Sequence, residues 1–274
     1  MVPLRGSGMS SPLMRRVIMK KIFTRILSAA LVLSMAGALA SCASKKSMTV
    51  QKDKLIMATN AYFPPYEYYD NNTIVGIDAE IAAAVAKKLG LELEIQDVEF
   101  DSIIAGVQGN KYDIGMAGMT VTEERKLAVN FSSTYATGIQ AVIVPEDSEI
   151  ADVDALLAGD YKVGVQQGTT GDIYMSDDVG EDRVVRFSKG NDAVLALSTG
   201  KVDAVVIDNE PAKSFVAANE GLKILPTAYV EEEYAMCINK NNTELLDAIN
   251  KALKELTDDG TIPAIIEKYI PSNG

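Results

Sequence analysis

DIGMAGMTVTEER, residues 113–125, joins an apolar strand to the first turn of a helix. Residues 113–117 have the short apolar composition of a buried strand. Thr122 is a residue type that caps helix N-termini, which makes Arg125 the third helical residue. A strand that passes through a loop directly into a helix is the repeating unit of α/β proteins. The segment therefore predicts an α/β fold.

The same alternation of strands and helices extends over most of the chain after residue 54. We expect Asp78 to cap a helix that Gly90 ends, and Asp101 to cap a helix that continues through Val107. A last amphipathic helix, residues 245–256, is expected to pack back on the first part of the chain. Further strands are predicted at residues 55–59, 91–95, 139–144, 161–165, 184–187, 204–207, 222–225 and 234–239.

Two of these strands, 139–144 and 234–239, are predicted to connect two lobes. We expect the first lobe to comprise residues 53–137 and 235–274, and the second lobe to comprise residues 138–234. Two crossings between lobes form a hinge, and a hinge allows the lobes to close around a ligand.

The N-terminal region, residues 1–41, is predicted to contain a signal peptide. A basic start at residues 19–25 precedes an apolar stretch, residues 26–40, that is shorter than the roughly 20 residues a membrane-spanning helix needs. Residues 1–18 do not suit a signal peptide start. Leu39-Ala40-Ser41-Cys42 resembles a bacterial lipobox, which implies that Cys42 becomes the lipidated N-terminus and residues 42–52 form a tether. The alternative is an ordinary secretory cleavage site with a chance cysteine.

The composition excludes several classes of function. The formal net charge is −12 at pH 7, and removing the six basic residues that precede Cys42 leaves −18 on the remainder. An acidic surface of this kind repels nucleic acid, so a small solute or a protein is the expected partner. The chain has no histidine, which rules out Ser-His-Asp triads and most transition-metal sites. With Cys42 lipidated, Cys237 has no disulfide partner and is predicted to be a buried thiol.

Two charged residues follow predicted strands, where α/β proteins bind ligands. Arg125, in the first turn of its helix, is suited to hold a carboxylate with two hydrogen bonds, although an ordinary surface arginine is an alternative. Asp208 follows the strand at 204–207 and is suited to hold an ammonium group, although it could instead cap the next helix. An anion site and a cation site together complement a zwitterionic amino acid.

The remaining candidate residues lie in loops of the same kind. Phe63 and Phe100 are candidate apolar walls for the ligand, with simple packing as the alternative. The loop at residues 166–171 contains Gln167 and Thr169 and offers backbone amides and hydroxyls, with a plain glycine turn as the alternative. It lacks the lysine of a phosphate-binding loop.

Five short motifs occur in a fixed order: FPPYE at 63–67, VGID at 75–78, FDSII at 100–104, GMTVTEER at 118–125 and GVQQGTT at 164–170. They resemble the family 3 extracellular solute-binding proteins, the polar amino-acid branch of ABC import, and the likeness extends over nearly all of residues 55–269. The resemblance implies a two-lobed, type II periplasmic-binding-protein-like fold with two hinge crossings. It also implies a binding protein that is not an enzyme and needs neither a cofactor nor a metal.

The resemblance further implies roles for individual residues. Arg125 would hold the ligand's α-carboxylate with help from the amides of Thr120 and Thr170. Asp208 would hold the α-ammonium with the Gly118 carbonyl and the Thr120 hydroxyl, within a segment that also contains Met119. Phe63 and Phe100 would sandwich the side chain. Asn60 and Gln166 stand where some relatives have charged residues, so the family likeness favours a polar or cationic amino acid without naming one.

Two other functions stay open on the sequence. The first is an enzyme resembling cyclohexadienyl dehydratases, with Glu67, Glu123 or Asp208 as the acid. The second is a ligand-sensing domain, which would need a later membrane helix. For the binding protein, we expect a monomer that meets ABC permease subunits outside the cytoplasm. We also expect it to be lipid-anchored to the membrane of a Gram-positive bacterium.

Overall fold

The computed structural model describes residues 47–271, and the predicted apolar strands form two separate mixed sheets within this range. The first sheet has the strand order β5-β1-β6-β14-β7, in which β1 pairs parallel with β5 and β6 and β14 pairs antiparallel with β6 and β7. Its strands are Lys54–Thr59 (β1), Glu92–Asp97 (β5), Ile114–Gly115 (β6), Val129–Phe131 (β7) and Cys237–Asn239 (β14).

Strand β1 is buried on both faces because helices cover the first sheet from either side. Leu55 and Met57 pack in one hydrophobic cluster with Ile81, while Ile56 packs in another with Ile103. This explains why β1 is continuously apolar. The helices of this half are Ile77–Leu89 (α1), Ile103–Gln108 (α2), Glu123–Ala128 (α3), Thr243–Asp258 (α8) and Thr261–Tyr269 (α9).

A small antiparallel sheet extends from the first sheet's first strand. Its strands are Tyr62–Phe63 (β2), Glu67–Asp70 (β3) and Thr73–Val75 (β4), and the peptide bond between Pro64 and Pro65 is cis.

The second sheet has the strand order β10-β9-β11-β8-β12, and β13 also pairs with β8. Its strands are Ala136–Pro145 (β8), Val163–Gln166 (β9), Val184–Phe187 (β10), Ala204–Asp208 (β11), Leu222–Ile224 (β12) and Val230–Tyr234 (β13). Its helices are Val153–Ala158 (α4), Thr170–Val179 (α5), Gly190–Ser198 (α6) and Asn209–Ala218 (α7). Short 3₁₀ turns occupy Phe100–Ser102 and Glu181–Arg183.

The chain crosses between the two sheets twice. It leaves the first sheet after β7 and enters the second at Ala136, and it returns between Tyr234 and Cys237. The strand predicted at 234–239 is therefore two strands in different sheets, because β13 ends in the second sheet before β14 begins in the first. This is the two-lobed α/β architecture that the motifs predicted.

Two predicted helix caps are wrong. Helix α1 begins at Ile77 after Gly76, and Asp78 lies inside the first turn, where its carboxylate accepts hydrogen bonds from Gly118 N and Tyr135 Oη at 2.9 Å each. Asp101 lies in the 3₁₀ turn before α2 and accepts a hydrogen bond from Gln167 instead. In both cases a distant donor competes successfully with the local backbone amides.

Cys237 is fully buried in β14, as predicted, and burial raises the pKa of its thiol to about 12. A thiol with this pKa stays protonated near neutral pH and is a poor nucleophile. Within residues 47–271, no helix has the length and apolar character needed to cross a membrane. The predicted signal peptide and Cys42 lie outside the described residues.

Candidate functional site

A cavity lies between the two sheets, beyond the carboxyl ends of β1, β6, β9 and β11. It encloses about 430 Å³ of space, part of which is continuous with solvent. This is where α/β sheets ordinarily bind ligands, since the strand-to-helix loops of both sheets meet there. Of the predicted site residues, the following line the cavity: Phe63, Phe100, Gly118, Thr120, Arg125, Thr169, Thr170 and Asp208.

Arg125 is held in place by the start of helix α3. Thr122 caps this helix as predicted, and its hydroxyl accepts a hydrogen bond from Arg125 N at 3.1 Å. The guanidinium is buried and donates to the carbonyl oxygens of Thr120 at 2.8 Å and Gly168 at 3.1 Å. Neither acceptor is charged, and a guanidinium has five N–H donors. Arg125 therefore keeps both charge and donors for an anion in the cavity.

Asp208 closes the cavity from the opposite sheet. It ends β11 at the N-cap position of α7 but makes no side-chain capping hydrogen bond. Its carboxylate instead accepts from Gln140 Nε2 at 2.8 Å and from the Tyr234 hydroxyl. Burial, followed by the negative charge of Glu232, raises the pKa of Asp208 well above its usual value. A cation in the cavity would relieve this cost by pairing with the carboxylate.

The aromatic walls depend on one glycine. Gly118 has φ 50°, and a Cβ at this position would lie 2.7 Å from the Phe63 ring. Phe63 in turn stacks on Tyr66 with ring centroids 5.8 Å apart. Phe100 also lines the cavity, and the Arg125 guanidinium carbon is 5.5 Å from its ring centroid. A side chain larger than hydrogen at Gly118 would displace the Phe63 wall.

Four polar residues at the cavity were not among the predicted site residues. Asn60, Glu67, Gln140 and Gln166 all line it. Gln140 had one usable signal in the sequence, because it is a polar residue within the apolar run of β8. In the sequence, Asn60 and Gln166 stand out only as positions where some relatives have charged residues, and Glu67 only as a candidate acid for an enzyme. Their place at the cavity required the tertiary structure.

Asn60 and Gln166 join the two sheets at the cavity. Gln166 Nε2 donates to Asn60 Oδ1 at 2.9 Å and to Ser188 O at 3.1 Å. Asn60 Nδ2 donates to Val98 O at 2.8 Å. Both side chains are neutral amides, so this part of the cavity offers hydrogen bonds without a formal charge.

Glu67 belongs to a buried pair of acids beside the cavity. Burial raises its pKa well above the usual value, and the neighbouring Asp78 raises it further. Burial also raises the pKa of Asp78, to about 6, against the hydrogen bonds that favour its ionised form. Two adjacent buried carboxyl groups do not ionise together easily, so a proton is expected to reside on Glu67 near neutral pH.

Met119 and Gln167 lie outside the cavity lining. The Met119 side chain is fully buried in the same hydrophobic cluster as Ile103, and its carbonyl accepts from Ala235 N. The exposed Gln167 side chain donates to Asp101 Oδ2 at 2.8 Å, across the outer edge of the two sheets. Neither side chain is in a position to reach the cavity without rearrangement. Among residues 47–271, no group of acidic or cysteine side chains is arranged to hold a metal ion.

Comparison with known proteins finds similar sequences over most of the chain. The family profile of the bacterial extracellular solute-binding proteins, family 3, matches residues 55–272. The arginine-binding extracellular protein ArtP of Bacillus subtilis is 35% identical over 241 residues, which cover 85% of this chain and 92% of that protein. The putative ABC transporter arginine-binding protein 2 of Escherichia coli is 31% identical, covering 77% of this chain and 88% of that protein.

Solved structures are similar over the same region. An ancestral arginine-binding protein bound to glutamine has a TM-score of 0.76 and 39% identity, covering 80% of this chain and 99% of that one. The arginine-, lysine-, histidine-binding protein ArtJ of Geobacillus stearothermophilus has a TM-score of 0.75 and 32% identity, covering 79% of this chain and 95% of that one.

Proposed function

The chain belongs to the bacterial extracellular solute-binding proteins, family 3, and we propose that it is the amino-acid-binding component of an ABC importer. It binds a free amino acid with a polar or cationic side chain between its two lobes. The family is extracellular, which places the chain outside the cytoplasm.

One observation carries the proposal: Arg125 and Asp208 approach the same cavity from opposite sheets. A guanidinium and a carboxylate are the natural partners of an amino acid's carboxylate and ammonium groups. Charge-assisted hydrogen bonds of this kind are each worth about 1.5 to 3 kcal/mol. Together they suit a small zwitterion better than a neutral solute or a simple anion.

The other proposed contacts follow from the cavity lining. The amides of Thr120 and Thr170 assist Arg125 at the carboxylate, and the Gly118 carbonyl and Thr120 hydroxyl assist Asp208 at the ammonium. Phe63 and Phe100 flank the ligand side chain. We also retain Met119, Gln167 and Thr169 as candidates through their backbone groups, because all three border the loops concerned.

The proposed mechanism is closure about the two crossings. Hydrogen bonds already join the sheets around the cavity: Arg125 to Gly168 O at 3.1 Å, and the Thr120 and Thr170 hydroxyls at 3.3 Å. A ligand that contacts both sheets binds the closed arrangement better than an open one, and it shifts the population accordingly. The closed form is the one we propose to dock on the permease.

The ligand side chain is proposed to lie towards the neutral amides of Asn60 and Gln166. These amides suit a polar group, and the carboxyl of Glu67 offers a hydrogen-bond acceptor for a cationic one. Proteins with similar sequences carry names that specify arginine, cystine and histidine, and one similar solved structure is described as bound to glutamine. We therefore propose arginine, histidine and glutamine as the first amino acids to test.

A thermal-shift screen and isothermal titration calorimetry test the proposed function. We expect one or more of these three amino acids to bind, and Arg125→Ala to weaken every one of them by about 100-fold or more, since it removes at least two charge-assisted hydrogen bonds. Lys126→Ala, which removes an exposed neighbouring cation, is the control and should retain affinity within about twofold. An unchanged affinity of Arg125→Ala would place the carboxylate elsewhere.

The named relatives are binding proteins, and we propose that this chain likewise has no enzymatic activity. A dehydratase on the same fold is the rival function. Incubation with prephenate or arogenate distinguishes the two, because turnover would support an enzyme and contradict a transport role.

We further propose that Cys42 carries a lipid and anchors a monomer to the cell membrane of a Gram-positive bacterium. The Leu39-Ala40-Ser41-Cys42 segment supports this proposal. Mass spectrometry of the membrane-bound protein should find a diacylglycerol on Cys42, and Cys42→Ser should release the protein. An unmodified cysteine on the mature protein would contradict the anchor.

A further inference from the structure

Glu232 is a buried carboxylate in β13, the strand before the return crossing, and it is not part of the cavity lining. Its side chain is only 5% exposed, whereas its strand neighbours Glu231 and Glu233 are exposed on the opposite face of β13. Burying a carboxylate is costly unless hydrogen bonds compensate it. The partners of Glu232 therefore indicate what the residue does.

Two donors converge on this carboxylate from different parts of the fold. Glu232 Oε2 accepts from Thr120 Oγ1 at 3.0 Å and from Gln140 Nε2 at 3.0 Å. Thr120 follows β6 of the first sheet, while Gln140 belongs to β8 of the second. Both partners line the ligand cavity.

The bond from Thr120 fixes the direction of its hydroxyl. A threonine hydroxyl has one hydrogen and two lone pairs, and here the hydrogen points at Glu232. The Thr120 lone pairs are then left for donors. The 3.3 Å contact with Thr170 must therefore be donated by Thr170, and the remaining lone pair is available to an ammonium group.

The bond from Gln140 fixes Asp208. One Gln140 amide nitrogen donates to Glu232 at 3.0 Å and to Asp208 Oδ2 at 2.8 Å, which uses both of its hydrogens. This holds the amide with its nitrogen towards the two acids and prevents it from presenting N–H groups to a cation. Glu232 thus acts on two neighbouring groups of the cavity through their hydrogens.

We propose that Glu232 is a positioning residue that makes the ammonium subsite an acceptor site, by drawing the Thr120 and Gln140 hydrogens away from the ligand. The proposal rests on the function proposed above, since it requires an amino acid whose ammonium lies beside Asp208 and Thr120. Glu232 does not touch the ligand, and its effect depends on whether the ligand carries an ammonium group.

The test compares amino acids with analogues that lack only the ammonium group. Calorimetry would measure arginine against 5-guanidinopentanoate, and glutamine against glutaramate, on the wild type and on Glu232→Gln. The new amide can donate to Thr120 and reverse its hydroxyl. We expect about a tenfold loss for the amino acids and less than a twofold loss for the analogues.

Glu231→Gln is the matched control, because it makes the same chemical change on the exposed face of the same strand. It should change neither class of ligand. In a Thr120→Val background, Glu232→Gln should add clearly less than its tenfold loss in the wild type, because one of the two groups it acts through is gone and only Gln140 remains. Should Glu232→Gln fail to fold, Glu232→Asp keeps the charge but withdraws the oxygens from Thr120, and the same preferential loss is expected.

Equal weakening of amino acids and analogues would overturn the inference and make Glu232 a general structural residue. Unchanged affinities, or full additivity with Thr120→Val, would overturn it as well. If the wild type binds none of the amino acids, the proposed function itself fails and the inference falls with it. If the wild type binds and Glu232→Gln is unselective, only the inference fails.

Discussion

At the scale of single residues, the charge state of Asp208 links ligand binding to pH. Burial raises the pKa of this carboxyl group well above its usual value in the ligand-free protein. An ammonium ion requires the ionised form and stabilises it. Binding is therefore expected to release a proton from Asp208 over the pH range below its ligand-free pKa.

The expected sign is that amino-acid affinity falls as pH is lowered. Calorimetry in two buffers of different ionisation enthalpy measures the released protons directly. Asp208→Asn should abolish the release and weaken amino acids more than their desamino analogues, while Asp203→Asn, at an exposed position, should do neither. Affinity that is independent of pH, with no proton released, would contradict an ammonium contact.

The raised pKa of Asp208 also affects the stability of the fold, and here the effect of pH has the opposite sign to its effect on amino-acid affinity. The folded state holds the proton on Asp208 more firmly than the unfolded state, so its contribution to stability is complete at low pH and is lost as pH rises through the folded-state pKa. The carboxyl of Glu67 contributes with the same sign. The ligand should accordingly raise the melting temperature more at higher pH.

At the scale of elements, a glycine in β8, Gly138, leaves room for the Tyr234 hydroxyl of β13, which donates a hydrogen bond to Asp208. A Cβ on Gly138 would lie 2.0 Å from the Tyr234 hydroxyl oxygen, which itself donates to Asp208. Strand β13 pairs with β8 beside this residue, so neither backbone can withdraw easily. The glycine therefore permits one of the two hydrogen bonds that orient the carboxylate.

Gly138→Ala is expected to lower stability by about 1 to 3 kcal/mol, the usual cost of overpacking a buried site. It should also weaken amino-acid binding, because the displaced hydroxyl no longer orients Asp208. Urea denaturation and calorimetry measure the two effects, and Thr137→Ala at the exposed neighbouring position is the control. A variant with wild-type stability and affinity would show that the strand accommodates the methyl group.

At the scale of the whole molecule, closure also depends on contacts that the ligand does not make. Gln167 Nε2 donates to Asp101 Oδ2 at 2.8 Å, joining loops from the two sheets outside the cavity. Asp101 lies in the 3₁₀ turn that carries Phe100, so the contact also fixes the position of that wall. Such a contact stabilises the closed arrangement for any ligand.

Gln167→Ala is expected to weaken every amino acid by the same factor, about two- to tenfold, which corresponds to one exposed hydrogen bond to a charged group. The change should appear as faster dissociation in stopped-flow fluorescence, with selectivity unaltered. Gln51→Ala, at another exposed glutamine, is the control. A loss confined to one kind of side chain would instead make Gln167 a ligand contact.

Local patterns in the sequence predict most strands and helices and the Thr122 cap that places Arg125, because apolar periodicity and hydrogen bonds within a few residues are encoded in a short segment. Arg125 and Asp208 are expected at the site from their positions after predicted strands, whereas Gly118, Thr120 and Thr170 are expected from the family resemblance. The tertiary structure decided that Asp78 is a partner of Gly118 and Tyr135 rather than a cap. It also decided that Gln140 reaches Asp208 and Glu232, which are 68 and 92 residues away in the chain. Such contacts depend on how two sheets pack against each other, and no local pattern carries that information.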